Sequence, residues 1–387
     1  KTSQGVNSVA VGHLAGQTSQ GTYTVAVGVN AGYNAQGNNS VAIGSLAGQV
    51  SQGAQGVAIG EQAGSADQGV NSVAVGRLAA KHSQGDNCVA IGNEAGFNAQ
   101  VASAVAMGQN AGYNAQGNQS VAVGLASGKV SQGAYSVAVG RYAGCNAQGA
   151  SATAVGNQAG FASQGANSVA VGYLAGLNVQ GANSVAVGDQ AGSADQGIQS
   201  VAVGYVAAET SQGNYSVAIG GAAGYNAQGS QAVAVGHSAA QVSQGVNGVA
   251  IGHVAGQNSQ GAQAVAVGLA AGRNAQGANS VAVGYDAGNV SQPASSFYVS
   301  ILCVRNQGGT YYMRYNTTTG EVSYTSSDDR VKDDETLITG AVKTLSKLRP
   351  QNYLKRSKLD PNAPEQNWYL ESGLMAQEVY YSVPEMR

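Results

Sequence analysis

A mainly β fold is predicted here: a parallel β-solenoid (β-roll) of 16-residue coils, then a small β adaptor and a truncated α+β chaperone-like domain. Three observations predict the shaft. From Gly5 to Gln292 the chain repeats every 16 residues, without insertion or deletion, through 18 units. Each unit carries a Val-Ala-Val or Val-Ala-Ile segment, or a variant with Met107 or Thr153, alternating with the period of a strand. No proline occurs before Pro293, as a ladder in which every backbone N–H is used requires. The period is too short for helical repeats, which need about 33 to 47 residues.

The columns of the repeat justify the elements in order, with Gly5 as position 1. Position 5 is Val except for Thr153, position 7 is Val or Ile except for Met107, and position 6 is always Ala. Alternation points the two valines to one face and the alanine to the other. Val buries more apolar surface than Ala, so Val9, Val11 and their equivalents are expected inside the coil. The Ala column, Ala10 to Ala282, is then expected to form a close-packed face toward neighbouring chains. Position 8 is Gly in every unit, which suits a corner with positive φ or a close backbone approach. Position 11 is Ala except for Ser127 and opens a return segment ending on Gln in every unit, Gln20 to Gln292. An amide repeated in register suits a ladder in which each side chain donates to the next. Pro293 stands where another unit's Gly would be and is the expected stop. At ~4.8 Å per coil the shaft would be about 86 Å long.

Composition bounds the rest. Charged residues are 9% of the chain, and 58 glycines accompany five prolines, which excludes both a typical globular domain and a collagen. Six of the 17 Lys/Arg and eight of the 19 Asp/Glu lie in residues 1–292, so a boundary is expected near 293. A net charge of -2 predicts no nucleic-acid partner. The lack of an apolar run of about 18 residues predicts no membrane insertion. Lys1 opens the chain without a signal-peptide pattern, and a fragment or processed product is expected. Cys88, Cys145 and Cys303 have no spacing pattern and read as thiols outside any disulfide or metal framework. His13, His82, His237 and His253 occupy variable positions, mostly the ninth, and are read as many coils apart. Asp67 and Asp195 read as turn residues. Neither a metal nor a cofactor is therefore expected. Aromatic residues recur at position 13 (Tyr33, Phe97, Tyr113, Phe161, Tyr225); they either fill corners or form a sparse outer stripe able to stack on sugars.

The units NSVAVGxxAG and YSVAIGxxAG resemble the SVAIG head repeats of YadA-like trimeric adhesins. The resemblance extends over all 18 units. It implies a left-handed parallel β-roll, assembled as a homotrimer and displayed extracellularly.

Beyond the shaft the vocabulary changes. Residues 293–326 read as the adaptor, with a largely buried strand at 297–304 and further strands at 310–315 and 321–325. In residues 327–387, Leu337, Ile338, Val342, Leu345 and Leu348 fall at helical spacing before Pro350, predicting an amphipathic helix over 336–348. Residues 351–355 read as a strand. The blocks SDDRVK, LSKLRPQNY and GLMAQEV, the last followed by Pro384, resemble the intramolecular chaperone domain that ends phage tail fibres, endosialidases and large-virus fibre proteins. That domain usually continues beyond the equivalent of Arg387, so an incomplete copy is expected.

The second resemblance implies that the domain assists trimerisation and then cuts itself off beside Ser327. Ser327 would be the nucleophile and Lys332 the general base of a single-turnover endopeptidase, with Ser326 a weaker second candidate. A serine hydroxyl needs an adjacent base, and a neutral lysine can serve. A spacing of five places the pair on opposite faces of a strand and about 140° apart on a helix, so an irregular turn must join them. Asp328, Asp329, Asp333 and Asp334 favour the charged lysine. Burial must therefore bring Lys332 down from ~10.4 toward neutrality. The expected partners are two further copies of the chain and a host cell-surface receptor, a glycan among the candidates. The alternative is a bacterial YadA-like surface adhesin without autoproteolysis.

Overall fold

The computed structural model describes residues 4–300 and, beyond them, the backbone of strands Tyr312–Tyr315, Val322–Thr325, Gln351–Arg356 and Trp368–Gly373. The chain forms two compact units, Lys1–Arg305 and Asn306–Arg387.

In the first unit each repeat is one coil. The coil that starts at Gly133 is representative, with strands Val137–Val139 and Asn146–Gln148 joined by tight corners and each pairing in parallel with its equivalents in neighbouring coils. The Val-Ala-Val segments stack into a sheet of 19 strands, the return segments into a sheet of 16. Register is offset by one repeat throughout, so identical columns meet: Val137 beside Thr153, Ala138 beside Ala154, Gln148 beside Gln164. Backbone amides reach both ways along the axis. Val137 N donates forward to Ala152 O at 2.9 Å, and Gly140 N donates back to Val123 O at 2.8 Å. The corners are bonded as well, through Tyr142 N to Leu125 O at 2.8 Å and Gly144 N to Ala159 O at 2.9 Å. Coil stacking thus satisfies corner as well as strand amides, which a 16-residue loop could not do within itself.

The interior is the reverse of the expected one. The alanines at positions 6 and 11, Ala138 and Ala143 among them, are fully buried, while the valines and isoleucines face outward. The reason is the width of the coil. A Cβ added at Gly144 would lie 2.7 Å from Gln148 Oε1, and one at Gly128 would lie 3.3 Å from Ala122 Cβ. Alanine methyls, a glycine and the glutamine amide therefore fill the cross-section at position 6, leaving no space there for a β-branched side chain. Serine at position 4 completes it: Ser136 is buried and donates to Gly133 O at 2.6 Å.

The position 8 glycine meets both of its expected conditions. Gly140 has φ +133°, and a Cβ there would sit 2.4 Å from Gly156 O of the next coil. Gly140→Ala is expected to destabilise the shaft by more than the ~1 to 3 kcal/mol attached to such a backbone conformation alone, because the overlap is with backbone. Gly221, at position 9, would meet only the His237 ring, at 3.3 Å, so Gly221→Ala should be close to neutral. Urea titrations followed by circular dichroism compare the two. Equal effects would contradict this account of the corner.

The first sheet runs one strand past Pro293. Phe297–Val299 pairs with Val281–Val283, and Ser300 N donates to Val283 O at 3.0 Å. Elsewhere the position 1 amide donates forward, as Gly277 N does to Gln292 O at 2.8 Å. A proline at position 1 therefore removes no bond to the coil before it. What changes at the end of the stack is the alanine slot, taken by Tyr298, which pairs with Ala282 and stays exposed along with Phe297 and Val299. The start of this segment is thus exposed where a buried strand was expected, because an aromatic side chain does not fit inside the coil.

In the second unit two antiparallel pairs are described. Tyr312–Tyr315 pairs with Val322–Thr325, and Gln351–Arg356 with Trp368–Gly373. Three of these four strands lie within the segments expected from sequence or one residue beyond them, and Trp368–Gly373 is an addition. The expected helix over 336–348 lies outside the described residues.

Candidate functional site

Ser326, Ser327 and Lys332, with the four aspartates around the lysine, lie outside the described residues. The candidate surfaces with described geometry are therefore those of the shaft, where a repeated column places like residues one coil apart.

The position 13 column holds the aromatics. Phe97 and Tyr113, one coil apart, stack with centroids 4.9 Å apart and planes 4° from parallel. The other side of Phe97 is taken by Lys81 Nζ, 5.6 Å from its centroid, and by the edge-on ring of His82. At Phe97 the ring faces are spent on neighbouring coils, so this part of the column serves as a surface ladder and offers no open face to a sugar. Phe161 meets Tyr142 edge-to-face at 6.3 Å, and Arg141 lies over the Tyr142 ring. Tyr225 stands beside Glu209 of the preceding coil, whose negative charge and hydrogen bond push the phenol above its ordinary pKa.

Cys88 and Cys145 are buried free thiols, and Cys303 lies outside the described residues. Cys88 occupies the position 4 serine slot, and its Sγ donates to Val101 O at 3.0 Å. Burial pushes its pKa up, against opposing hydrogen bonds. Burial likewise raises the Cys145 thiol, with Lys129 pulling the other way. Asp67 and Asp195, expected as turn residues, instead sit at the centre of strands Ala66–Gln68 and Ala194–Gln196, with φ of +53° and +54°. Among the described residues no cluster of three or more His, Cys, Asp or Glu could hold a metal, and no helix is long and apolar enough to cross a membrane. The charged groups are sparse; Arg77 and Glu94 approach to 3.8 Å in the one ion pair found among the described residues.

One reading of the histidines needs correction. His237 and His253 are one coil apart, with rings stacked at 5.4 Å and 25°. A spacing of 16 was the available signal, since it equals the period. The outward apolar column was missed for the opposite reason: nothing in strict alternation says which face is inside.

A solenoid of about 18 in-register turns with alanine, serine and glutamine inside and an apolar ladder outside is the shaft of a fibrous, adhesin-like protein. Residues 19–47 and 180–207 match the family model described as the YadA head domain repeat. Each stretch spans nearly two coils, and the columns it contains recur along the whole shaft. Comparison with curated proteins and with solved structures gave no match.

Proposed function

We propose that this chain is one protomer of a homotrimeric attachment fibre, displayed outside the cell or on a virion, that presents its solenoid to a host surface receptor. The observation carrying the proposal is the exposed column at position 7, where Ile219 and Ile251 are each 41% exposed and Val or Ile recurs coil after coil. Soluble monomers rarely expose a contiguous apolar patch above a few hundred Å². The ladder repeats at one coil spacing for the length of the shaft. An element with the same repeat matches it side chain for side chain, and another copy of this chain has that repeat. The similarity to YadA head repeats supports three copies arranged about one axis. A native mass of three chains for the full-length protein is the expected result; a monomeric mass would refute the assembly.

The terminal segment extends this reading. Its three blocks support a chaperone that aids trimerisation and then cuts beside Ser327, with Lys332 as the base that takes the serine proton. In the full-length protein, Ser327→Ala and Lys332→Met are each expected to leave an intact chain on a denaturing gel where the parent yields two fragments. Cleavage persisting in both variants would eliminate the dyad.

The family match favours a second reading, a bacterial YadA-like surface adhesin that is not processed. It expects one uncut band from the parent and the same trimer. The gel therefore separates the two readings, while the native mass tests the part they share.

A further inference from the structure

From the stacked pair His237 and His253 we infer a surface site for one divalent transition-metal ion, held by two imidazoles from consecutive coils. Coil stacking at ~4.8 Å brings the two rings to a centroid distance of 5.4 Å with planes 25° apart. Both residues are exposed at position 9, a corner where the parallel ladder fixes one backbone above the other. Modest side-chain rotation closes two such nitrogens onto one ion with Zn–N distances of about 2.0 to 2.1 Å.

Three surrounding features favour an ion. First, Ser238 is buried, and its Oγ lies 3.2 Å from His237 Nδ1. In the tautomer whose Nδ1–H donates to that oxygen, the Nε2 lone pair is free to ligate. Metal-binding histidines are oriented by this kind of second hydrogen bond. Second, the coil before the pair carries Gly221 at the same position. With no side chain there, one face of His237 stays open. Third, the neighbouring corners hold Ala222, Leu269 and Ala270, none of which brings a positive charge. Two imidazoles with water completing the shell suit Cu²⁺, Ni²⁺ and Zn²⁺, with Cu²⁺ bound most tightly.

The test is equilibrium dialysis of the full chain against Cu²⁺, repeated with Zn²⁺. His237→Gln and His253→Gln remove one ligand each. Glutamine already occupies position 9 as Gln109, so the coil accepts the change. His13→Gln and His82→Gln serve as controls, and Ser238→Ala removes the orienting bond. One Cu²⁺ per chain is expected. Either ligand variant should abolish binding at the same free metal concentration, and Ser238→Ala should weaken it roughly 10- to 100-fold. Electron paramagnetic resonance of the Cu²⁺ form should report two nitrogen ligands. Binding unchanged in either ligand variant, or equally reduced in the His13 and His82 controls, would overturn the site.

Discussion

Gln148→Glu is expected to cost the shaft about 0.5 to 1.5 kcal/mol near pH 4, where the carboxyl has one donor in place of the amide's two, and about 4 kcal/mol more at pH 7. Gln148 is buried, and its Nε2 donates to Val137 O at 2.8 Å, Ala152 O at 3.2 Å and Gln164 Oε1 at 3.1 Å. Its Oε1 accepts from Gln132 Nε2 at 3.2 Å. A carboxylate would set a negative oxygen against three acceptors in a buried position. Desolvation and the surrounding carbonyls therefore raise the folded-state pKa of the new group, by ~3 to 5 units for a fully buried carboxyl. A group whose folded pKa is raised leaves stability intact below its unfolded pKa, here ~4.3. Stability then falls as pH rises toward the folded pKa. Between pH 4.3 and 7 the loss accumulates at ~1.36 kcal/mol per unit, which gives the 4 kcal/mol. Gln148→Leu separates charge from lost hydrogen bonds: it forfeits both N–H donors, which three acceptors share, each with a net worth of ~0.5 to 1.5 kcal/mol, at every pH. Urea midpoints for both variants, measured against wild type at pH 4 and pH 7, check the argument. A Glu variant with the same deficit at both values would show that the amide column is wet.

The glutamine column and the glycine corners were legible because a residue found in all 18 units has one simple explanation in a stacked fold. The amide ladder, however, is only partial: side chain donates to side chain along Gln84–Gln116, Gln132–Gln164 and Gln212–Gln276. The bond made in every coil goes to a backbone carbonyl, as from Gln20 to Val9 O. The facing of the strand was not legible. Periodicity of two says that Ala138 and Val139 oppose one another, and burial area alone argues for the valine inside. What decides the matter is the interior width, set by three-residue strands closing through tight corners at Tyr135, Gly140, Tyr142 and Gly144, all with positive φ. That dimension belongs to the closed coil and is written in no single column. A hint lay in the constancy of the alanine: position 6 admits no substitute, while position 7 admits Val, Ile and Met107, as a surface that is later covered can. The His237–His253 pair was legible from its spacing, since 16 residues are one coil. The terminal site rests on its three sequence blocks, because Ser327 and Lys332 lie outside the described residues.

Ile219→Lys combined with Ile251→Lys is expected to turn the proposed trimer into folded monomers, whereas Ala218→Leu should damage the coil itself. The lysines project outward from position 7, two coils apart, on side chains that are 41% exposed in the single chain. Within the solenoid they lose only the packing of the half that is already covered, and the strand ladder Val217–Ile219 keeps its backbone bonds to both neighbours. In the assembly each would bury an unpaired charge, which costs several kcal/mol per ion, and three chains would contribute six such charges. Association at micromolar concentration, about -8 kcal/mol, does not withstand that cost. Ala218 faces the opposite way: it is fully buried, and a Cβ added at Gly224 would lie 3.3 Å from its methyl. Leucine there must displace backbone, and overpacking of ~1 to 3 kcal/mol falls on a local interface that stacked coils cannot relieve elsewhere. Native mass spectrometry and circular dichroism should therefore move independently, mass falling with an unchanged spectrum in the lysine variant and the thermal midpoint falling in the leucine variant. A lysine variant that keeps the wild-type mass would mean that the outward ladder is free in the assembled protein, and the contact between chains would have to lie on another face of the coil.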